Sequence, residues 1–366
     1  MRLKILNFKA CSSNTFRNCD NFFYLHTIMK NILLKNIKYI LGYFTFTLII
    51  VSCKNENTKQ TKSENRPSSF TIPTNFNADS AYLFIEKQVK IGKRIPNTEP
   101  HVKTKDYLVS KFVHYGWITN IQSFDATAFD GKKLKLYNII ASINPEKNKR
   151  ILLCAHWDTR PFADQEDDME KKLKPIDGAN DGGSGVAVLL EFARSISIAQ
   201  VKPSVGIDII LFDGEDYGQP DFLSMKHQND TWCLGSQYWS KNPHKPNYQA
   251  FYGILLDMVG GKNAKFALEG TSRYYAPHIQ KKIWDKANSI GLGNYFIYTV
   301  APEIIDDHYY INKLAQIPTI DIIEYDPTNG NYFGKYWHKH EDNLTIIDKK
   351  TLSAVGTLLL HIVYDE

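Results

Sequence analysis

Cysteine is scarce in this 366-residue sequence, and no apolar run is long enough for a membrane span. Its five cysteines are too few and too scattered for a disulfide scaffold or a cysteine-rich zinc module. The most apolar stretch, residues 39–50, falls well short of the roughly 20 residues that a spanning helix needs. With 43% hydrophobic and 23% charged residues, the composition excludes a disordered chain, a collagen-like repeat and a polytopic membrane protein.

Neither sign of charge dominates the body of the chain, although the formal net charge is +5. Residues 1–66 carry 11 Lys or Arg against 3 Asp or Glu, whereas the rest of the chain carries 33 against 36. The positive excess therefore belongs to the N-terminal segment, and the body is slightly acidic. Because nucleic-acid binding requires a basic surface, we expect no nucleic-acid partner.

The N-terminal segment has the pattern of an export signal. Lysines at positions 30, 35 and 38 follow Met29 and precede the apolar stretch, which ends at Ser52-Cys53. A small residue followed by cysteine resembles the bacterial lipoprotein box, whose cysteine receives a lipid and becomes the mature N-terminus. We predict a lipoprotein signal peptide at residues 29–53 with lipidation of Cys53. The alternative is an ordinary signal anchor in which Cys53 has no role.

The segments on either side of the signal have simpler interpretations. Residues 1–28 have no place in this scheme and are predicted to be an extension of the gene model. Residues 54–70 are polar and lack apolar periodicity, which indicates a flexible spacer. We expect an exported lipoprotein that its lipid anchors to a membrane, in the periplasm or outer membrane of a Gram-negative bacterium.

Residues 71–366 alternate β-rich and helical patterns, and we predict that they form one domain. Strands are predicted at 135–143, 150–156, 205–212, 250–259 and 318–323, and helices at 81–88, 104–115, 184–196, 274–290 and 351–363. The runs 151–155 and 207–212 are almost wholly apolar, as expected of central strands covered on both faces. The pattern predicts an α/β fold, a three-layer α/β/α sandwich with a largely parallel sheet, and a site at the carboxyl ends of its strands.

Residue types that ligate metals follow one predicted strand after another. They are His156 and Asp158, Asp181 in a glycine-rich loop, Glu215 and Asp216, Asp257, and His338 near the C-terminus. A single Asp after a strand is commonly only a turn residue or helix cap. Their repetition at successive strand ends instead predicts a metal site, since zinc takes both carboxylates and imidazoles. The adjacent pair Glu215-Asp216 can divide the roles of free base and metal ligand.

This pattern resembles the M28 family of zinc exopeptidases. The matching runs are His156-x-Asp158, Asn180-Asp181, 213–216, 256–258 and His338, and the similarity extends from about residue 75 to the end. The resemblance implies a zinc-exopeptidase-like α/β/α sandwich with a mixed, mostly parallel central sheet. It also implies general-base catalysis by Glu215 and two zinc ions, which would be held by His156, Asp181, Asp216, Asp257 and His338.

Three further runs resemble the glutaminyl cyclases, a branch of the same superfamily that includes bacterial lipoproteins. They are Trp337-His338-x-x-Glu341-Asp342-Asn343, Asp306-Asp307-His308, and residues 231–236 with Trp232. This resemblance implies cyclisation of the N-terminal glutamine of peptides or proteins to pyroglutamate, with release of ammonia. The reaction is intramolecular, so it needs one polarised carbonyl and one free base.

The cyclase resemblance also implies a role for each residue. One Zn²⁺ per chain would be bound by Asp181, Asp216 and His338. Glu215 would be catalytic, with Asp257 and Asp307 in its hydrogen-bond network, and Trp232 and Trp337 would wall the substrate pocket. His156 and Asp158 would support the site or belong to a second metal.

Two alternatives stay open on the sequence. An M28-type aminopeptidase would use the same residues around two zinc ions, and every ligand for the second ion is present. A catalytically inactive binding module on the same fold is the third hypothesis, but such a module usually lacks a ligand or the glutamate.

Overall fold

The computed structural model describes residue 72 and residues 74–366, which belong to one compact unit. The predicted extension at 1–28, the signal peptide with Cys53, and the spacer lie outside the described residues. None of the helices in the described part is both long enough and apolar enough to cross a membrane.

A six-stranded mixed sheet forms the centre of the fold. The strands of the described residues are β1 Ile118–Thr127, β2 Lys133–Ile143, β3 Arg150–His156, β4 Gly206–Phe212, β5 Tyr252–Asp257, β6 Phe266–Leu268, β7 Phe296–Val300 and β8 Thr319–Ile323. The central sheet has the order β1-β2-β4-β3-β5-β8, and β6 and β7 form a separate pair. Strands β4, β3, β5 and β8 of the central sheet are parallel to one another, whereas β1 and β2 are antiparallel to their neighbours.

Helices cover both faces of this sheet. In the described residues they are α1 Ala78–Ile91, α2 Glu99–His114, α3 Met169–Lys172, α4 Gly183–Ile198, α5 Leu234–Lys241, α6 Gly270–Tyr275, α7 Pro277–Ser289, α8 Asp307–Tyr310 and α9 Lys349–Asp365. A π-helical turn, Ile311–Ala315, follows α8, and a 3-10 turn, Leu344–Ile346, precedes α9.

The strand side chains alternate between two apolar cores. Ile151 and Leu153 of β3 pack in the larger core with α1, α4 and α9, whereas Leu152 and Cys154 pack in the smaller core beside Trp239 of α5. Every residue of β3 and β4 is buried, because helices cover both faces of these strands. The predicted three-layer sandwich with a mixed, mostly parallel sheet is confirmed.

Several elements differ from the sequence prediction. Strand β1 was not predicted, because it lies at the sheet edge and only Phe124 of its ten residues is buried. The single helix predicted at 274–290 is two helices, α6 and α7, with the break before Pro277. Proline disfavours helical geometry in the residue that precedes it, which explains the break.

The parallel strands bring the polar residues together. Because β3, β4, β5 and β8 point the same way, their carboxyl ends meet at one edge of the sheet. The loop before α4 joins this edge through a turn in which Gly178 has a φ of +60°. A Cβ at Gly178 would lie 2.4 Å from the Thr159 side chain and 2.5 Å from the Asp181 carbonyl oxygen. Glycine is therefore required at this turn.

Candidate active site

Asp181, Asp216 and His338 form a buried group that we call the ligand cluster. One ligand atom from each lies within 4.8 Å of the others. His338 Nε2 is 3.3 Å from Asp216 Oδ1 and 3.6 Å from Asp181 Oδ2. Asp181 comes from the turn before α4, Asp216 from the loop after β4, and His338 from the segment between β8 and α9.

The ligand cluster is oriented by other buried carboxylates. Asp158 accepts hydrogen bonds from the backbone N–H groups of Glu215 and Asp216, each at 3.1 Å. Asp342 accepts from the N–H groups of Asn180, at 2.7 Å, and Asp181, at 3.1 Å. These contacts fix the backbone on which the ligand side chains are carried, so the ligands are positioned before any ion binds.

His338 is held by a carboxylate on its other side. Its Nδ1 lies 2.8 Å from Asp164 Oδ1, so Nε2 is directed at the ligand cluster. Arg160 binds the second Asp164 oxygen at 2.7 Å and donates to the backbone carbonyl of Asp216 at 2.8 Å. A carboxylate that orients a histidine in this way is the usual support of a metal-binding imidazole.

His156 and Asp257 lie on the far side of Asp181. His156 Nε2 is 3.0 Å from Asp181 Oδ1 and 3.3 Å from Asp257 Oδ1, and the three residues form a second group with ligand spacing. Asp158 is 3.5 Å from His156 Nδ1, behind the histidine, and belongs to neither group. A Cβ at Gly182 would lie 2.8 Å from the His156 ring, so only glycine allows this approach.

Glu215 lies beside the ligand cluster without joining it. Its side chain is 13% exposed, and its Oε2 is 3.9 Å from His156 Nδ1. Burial raises the pKa of Glu215 well above its usual value; His156 opposes this, and the carboxyl groups of Asp306 and Asp216 reinforce it. A bound cation would favour the ionised form and lower this pKa again.

Two tryptophans wall the pocket above these groups. The Trp337 ring stacks at 3.9 Å on the imidazole of His338, and the Trp232 ring lies nearly parallel to it at 5.9 Å. The Arg160 guanidinium is 4.1 Å from the centre of the Trp232 ring. The pocket has a volume of about 580 Å³ and is also lined by Glu215, Asp257 and two members of the ligand cluster, Asp181 and His338. This size fits a small side chain with part of a peptide.

Behind the pocket lies a second set of carboxyl groups, Asp306, Asp307 and Asp321, which we call the acid cluster. Asp306 lines the pocket, whereas the catalytic candidate Asp307 is fully buried behind it, near Asp306 and Ser236. Burial raises the pKa of Asp307 and of Asp321 well above the usual range, and the neighbouring carboxyl groups raise both further. Asp306 thus lines the pocket, although no role was predicted for it from the sequence. The predicted hydrogen-bond network is wrong, because neither Asp257 nor Asp307 hydrogen-bonds the Glu215 carboxylate in the described residues.

The ligand cluster fits a divalent cation. Both carboxylate oxygens of Asp216 are buried, and neither meets hydrogen-bond geometry with any donor of the described residues. Burial and the neighbouring Asp181 carboxylate raise the pKa of Asp216 to about 6. Two negative charges held this close together favour the binding of a cation. Two carboxylates and one imidazole are a ligand set that zinc prefers.

Three residues that support the site from a distance have little or no signal in the sequence. Asp164, Arg160 and Asp342 have no ligand spacing relative to a predicted strand, although Asp342 belongs to the run that begins at Trp337. The only signal for Asp164 and Arg160 is their place in the polar loop after His156-Trp157-Asp158.

Comparison with known proteins defines the class. Residues 138–363 match the model of peptidase family M28. A zinc-dependent exopeptidase from Parabacteroides distasonis is 49% identical, with a TM-score of 0.79, and the match covers 81% of this chain and 100% of that one. The chain belongs to peptidase family M28, as the resemblance of its sequence motifs predicted.

Within that family, the similarity extends to glutaminyl cyclases. A glutaminyl cyclase from Tannerella forsythia is 50% identical, with a TM-score of 0.77, and the match covers 80% of this chain and 99% of that one. A glutaminyl-peptide cyclotransferase from Dictyostelium discoideum is 26% identical over 315 residues, which cover 75% of this chain and 82% of that protein. The predicted resemblance to glutaminyl cyclases is confirmed.

Proposed function

We propose that this chain is an enzyme that cyclises the N-terminal glutamine of peptides or proteins to pyroglutamate and releases ammonia. One observation carries the proposal: Glu215, a carboxylate outside the ligand cluster, shares a pocket walled by Trp232 and Trp337 with Asp181 and His338 of that cluster. The similarity to a bacterial glutaminyl cyclase over nearly its whole length supports the substrate class.

Asp181, Asp216 and His338 would hold one zinc ion. When bound, zinc supplies Lewis-acid polarisation of the substrate's γ-carbonyl. We propose a single ion because His156 Nε2 and Asp257 Oδ1 meet hydrogen-bond geometry at 3.3 Å, whereas neither carboxylate oxygen of Asp216 does so with any donor of the described residues. Measurement of close to one zinc per chain in protein purified without added metal would agree with this assignment.

Glu215 moves the proton in the proposed reaction. The α-amine of the glutamine forms a bond to the side-chain carbonyl carbon, and the bond from that carbon to the amide nitrogen breaks. Glu215 accepts the proton of the attacking amine and delivers it to the departing nitrogen, which leaves as ammonia. The Trp232 and Trp337 rings displace water from the pocket and thereby limit the competing hydrolysis of the amide.

A dual assay separates this proposal from the aminopeptidase alternative. The alternative is favoured by the second group with ligand spacing, His156, Asp181 and Asp257, because two ions would activate a bridging water. The purified protein is incubated with a Gln-peptide and with leucine anilide, and ammonia and arylamine are measured. We expect ammonia alone. Arylamine release together with two tightly bound zinc ions would establish the aminopeptidase.

The assigned role of Glu215 has its own test. Glu215→Gln keeps the shape of the side chain but removes the base, so we expect the zinc content to stay unchanged while kcat falls by about 10²–10⁴-fold. A near-normal kcat in this variant would show that another group moves the proton.

We also propose that the chain is an exported lipoprotein held at a membrane through Cys53. The support is the short apolar stretch that ends at Ser52-Cys53 and the polar residues that follow it. Mass spectrometry of membrane-extracted protein should find a lipid on Cys53. An unmodified Cys53 would contradict the proposal.

A further inference from the structure

The thiol of Cys233 contacts the carboxylate of Glu215. Cys233 is fully buried, and its Sγ lies 3.2 Å from Glu215 Oε1 in hydrogen-bond geometry. In the described part of the chain, no other side-chain hydrogen bond reaches the Glu215 carboxylate. The orientation of the proposed base therefore depends on a cysteine that the ligand cluster does not use.

Backbone hydrogen bonds join the segment that carries Cys233 to the segment that carries Glu215. Cys233 N donates to Glu215 O at 2.9 Å, and Leu234 N donates to Gly214 O at 3.1 Å. The thiol therefore approaches Oε1 from a fixed backbone position. A fixed donor restricts the rotation of an acceptor far more than a mobile one does.

The conformation of Cys233 is unusual for its position. It is the N-cap residue of α5 and has a φ of +57°, in the left-handed region that residues other than glycine rarely adopt. Ser, Thr, Asp and Asn are favoured at N-caps because their oxygen accepts a helix N–H, yet the Cys233 side chain makes no such bond. Its sulfur contacts Glu215 instead.

The thiol retains its proton in this environment. Burial raises the pKa of Cys233 well above its usual value, and the neighbouring carboxyl group of Glu215 raises it further. A protonated thiol is a weak hydrogen-bond donor, and a carboxyl oxygen accepts whether or not its partner oxygen carries a proton. The hydrogen bond therefore runs from the sulfur to Oε1, in agreement with its geometry.

We propose that Cys233 is a positioning residue, whose S–H group holds Oε1 of Glu215 and thereby presents Oε2 for proton transfer. The inference rests on the proposed function, because it concerns the base of that reaction. It assigns Cys233 neither a nucleophilic role nor a place among the zinc ligands. Glu215, Cys233 and Asp306 also have ligand spacing. The alternative is therefore that Cys233 is a metal ligand, and measurement of the zinc content distinguishes it from a positioning role.

Kinetics of Cys233 variants in the full chain test the inference. Cys233→Ala removes the donor, and we expect kcat to fall about tenfold while KM and zinc content stay within twofold of the parent values. Cys233→Ser restores a donor, and we expect it to recover most of the lost kcat. Cys154→Ala is the matched control, because Cys154 is also a fully buried thiol but packs in the smaller apolar core. It should leave kcat unchanged.

An infrared measurement provides a second readout, which observes the Cys233 thiol directly and does not depend on kinetics. The difference spectrum between the parent and Cys233→Ser isolates the S–H stretch of Cys233. We expect this band at the low frequency of a hydrogen-bonded thiol, and at a higher frequency when Glu215→Gln is present in both proteins.

The outcomes are distinct. An unchanged kcat in Cys233→Ala, or a band that does not respond to Glu215→Gln, would overturn the positioning role. Loss of zinc in Cys233→Ala would overturn it in favour of a metal ligand. Absence of glutamine cyclisation by the parent chain would instead contradict the proposed function.

Discussion

The ligand cluster and the acid cluster are both buried, but their surroundings differ. Each of the three ligand residues has another carboxylate that fixes its side chain or its backbone: Asp164 for His338, Asp342 for Asp181 and Asp158 for Asp216. Both side-chain oxygens of Asp321 in the acid cluster lack a hydrogen-bond donor among the described residues, as those of Asp216 do, but the carboxyl groups around Asp321 raise its pKa further. The ligand cluster combines its carboxylates with an imidazole and can bind a cation, whereas burial among other carboxyl groups favours the protonated form of Asp307 and Asp321.

The pKa shifts of Asp181 and Asp321 show the same contrast. Burial alone would raise the pKa of Asp181, but contact with His156 and the proximity of His338 lower it. Burial also raises the pKa of Asp321, and the nearby carboxyl groups of Asp306 and Asp257 raise it further. The pKa of the same residue type is thus lowered or raised according to the groups that face it.

The largest effect should come from His338→Ala, which removes a member of the ligand cluster. We expect zinc and cyclising activity to be lost together. Both losses should exceed the roughly 10–100-fold loss that removal of a supporting residue causes. His340→Ala is the control, because His340 is two positions away but contacts Glu166 instead. Elemental analysis and the ammonia assay measure both effects. Retention of zinc by His338→Ala would remove His338 from the ligand set.

A smaller effect should follow from Asp164→Asn, which weakens the support of His338 without removing a ligand. We expect the zinc affinity to fall by about 10–100-fold, with activity restored by added zinc. Asp168→Asn serves as the control, since Asp168 is an exposed cap of α3. Competition with a chromogenic chelator gives the affinity. If Asp164→Asn binds zinc as tightly as the parent, the 2.8 Å contact does not stabilise the metal-binding geometry.

Glu269, which lies beside the acid cluster, should make unfolding sensitive to acid. Burial alone would raise its pKa, but hydrogen bonds from His308 and Ser272 lower it to about 2. A lowered pKa stabilises the fold above the unfolded-state value of about 4.5, and this stability is lost as the pH falls towards 2.

Between pH 5 and pH 3, this loss should amount to about 2 kcal/mol of the free energy of unfolding. Denaturant unfolding at both pH values should therefore show a smaller drop for Glu269→Gln than for the parent. The exposed Glu170→Gln variant should behave as the parent does. An equal drop in all three proteins would mean that Glu269 is not ionised in the fold.

The smallest effect should come from Asp321→Asn, because a neutral amide replaces a carboxyl group that is already protonated. We expect the free energy of unfolding at pH 7 to change by less than about 1 kcal/mol. A loss of several kcal/mol would show that Asp321 is ionised. That result would remove the distinction between the two clusters.

The sequence located the candidate ligands through local patterns and the family resemblance. Strands β3 and β4 are continuous apolar runs, so their ends could be located; His156 is the last residue of β3, and Asp216 lies in the loop after β4. The supporting residues depend on contacts between distant segments. Asp342 holds Asp181 across 161 positions of sequence, and Cys233 reaches Glu215 through the turn into α5. Neither contact has a periodicity or spacing that a single sequence could reveal.

The contact between Asp342 and the loop of Asp181 joins the last segment of the chain to the ligand cluster. A polypeptide that has emerged only as far as β8 contains the whole central sheet but lacks His338 and the carboxylate that holds Asp181. Contacts between positions so distant in sequence form only once the intervening chain is available and ordered. Under the proposed ligand assignment, zinc binding would therefore require synthesis to reach the last segment, and a chain that ended before His338 would lack one of the three ligands.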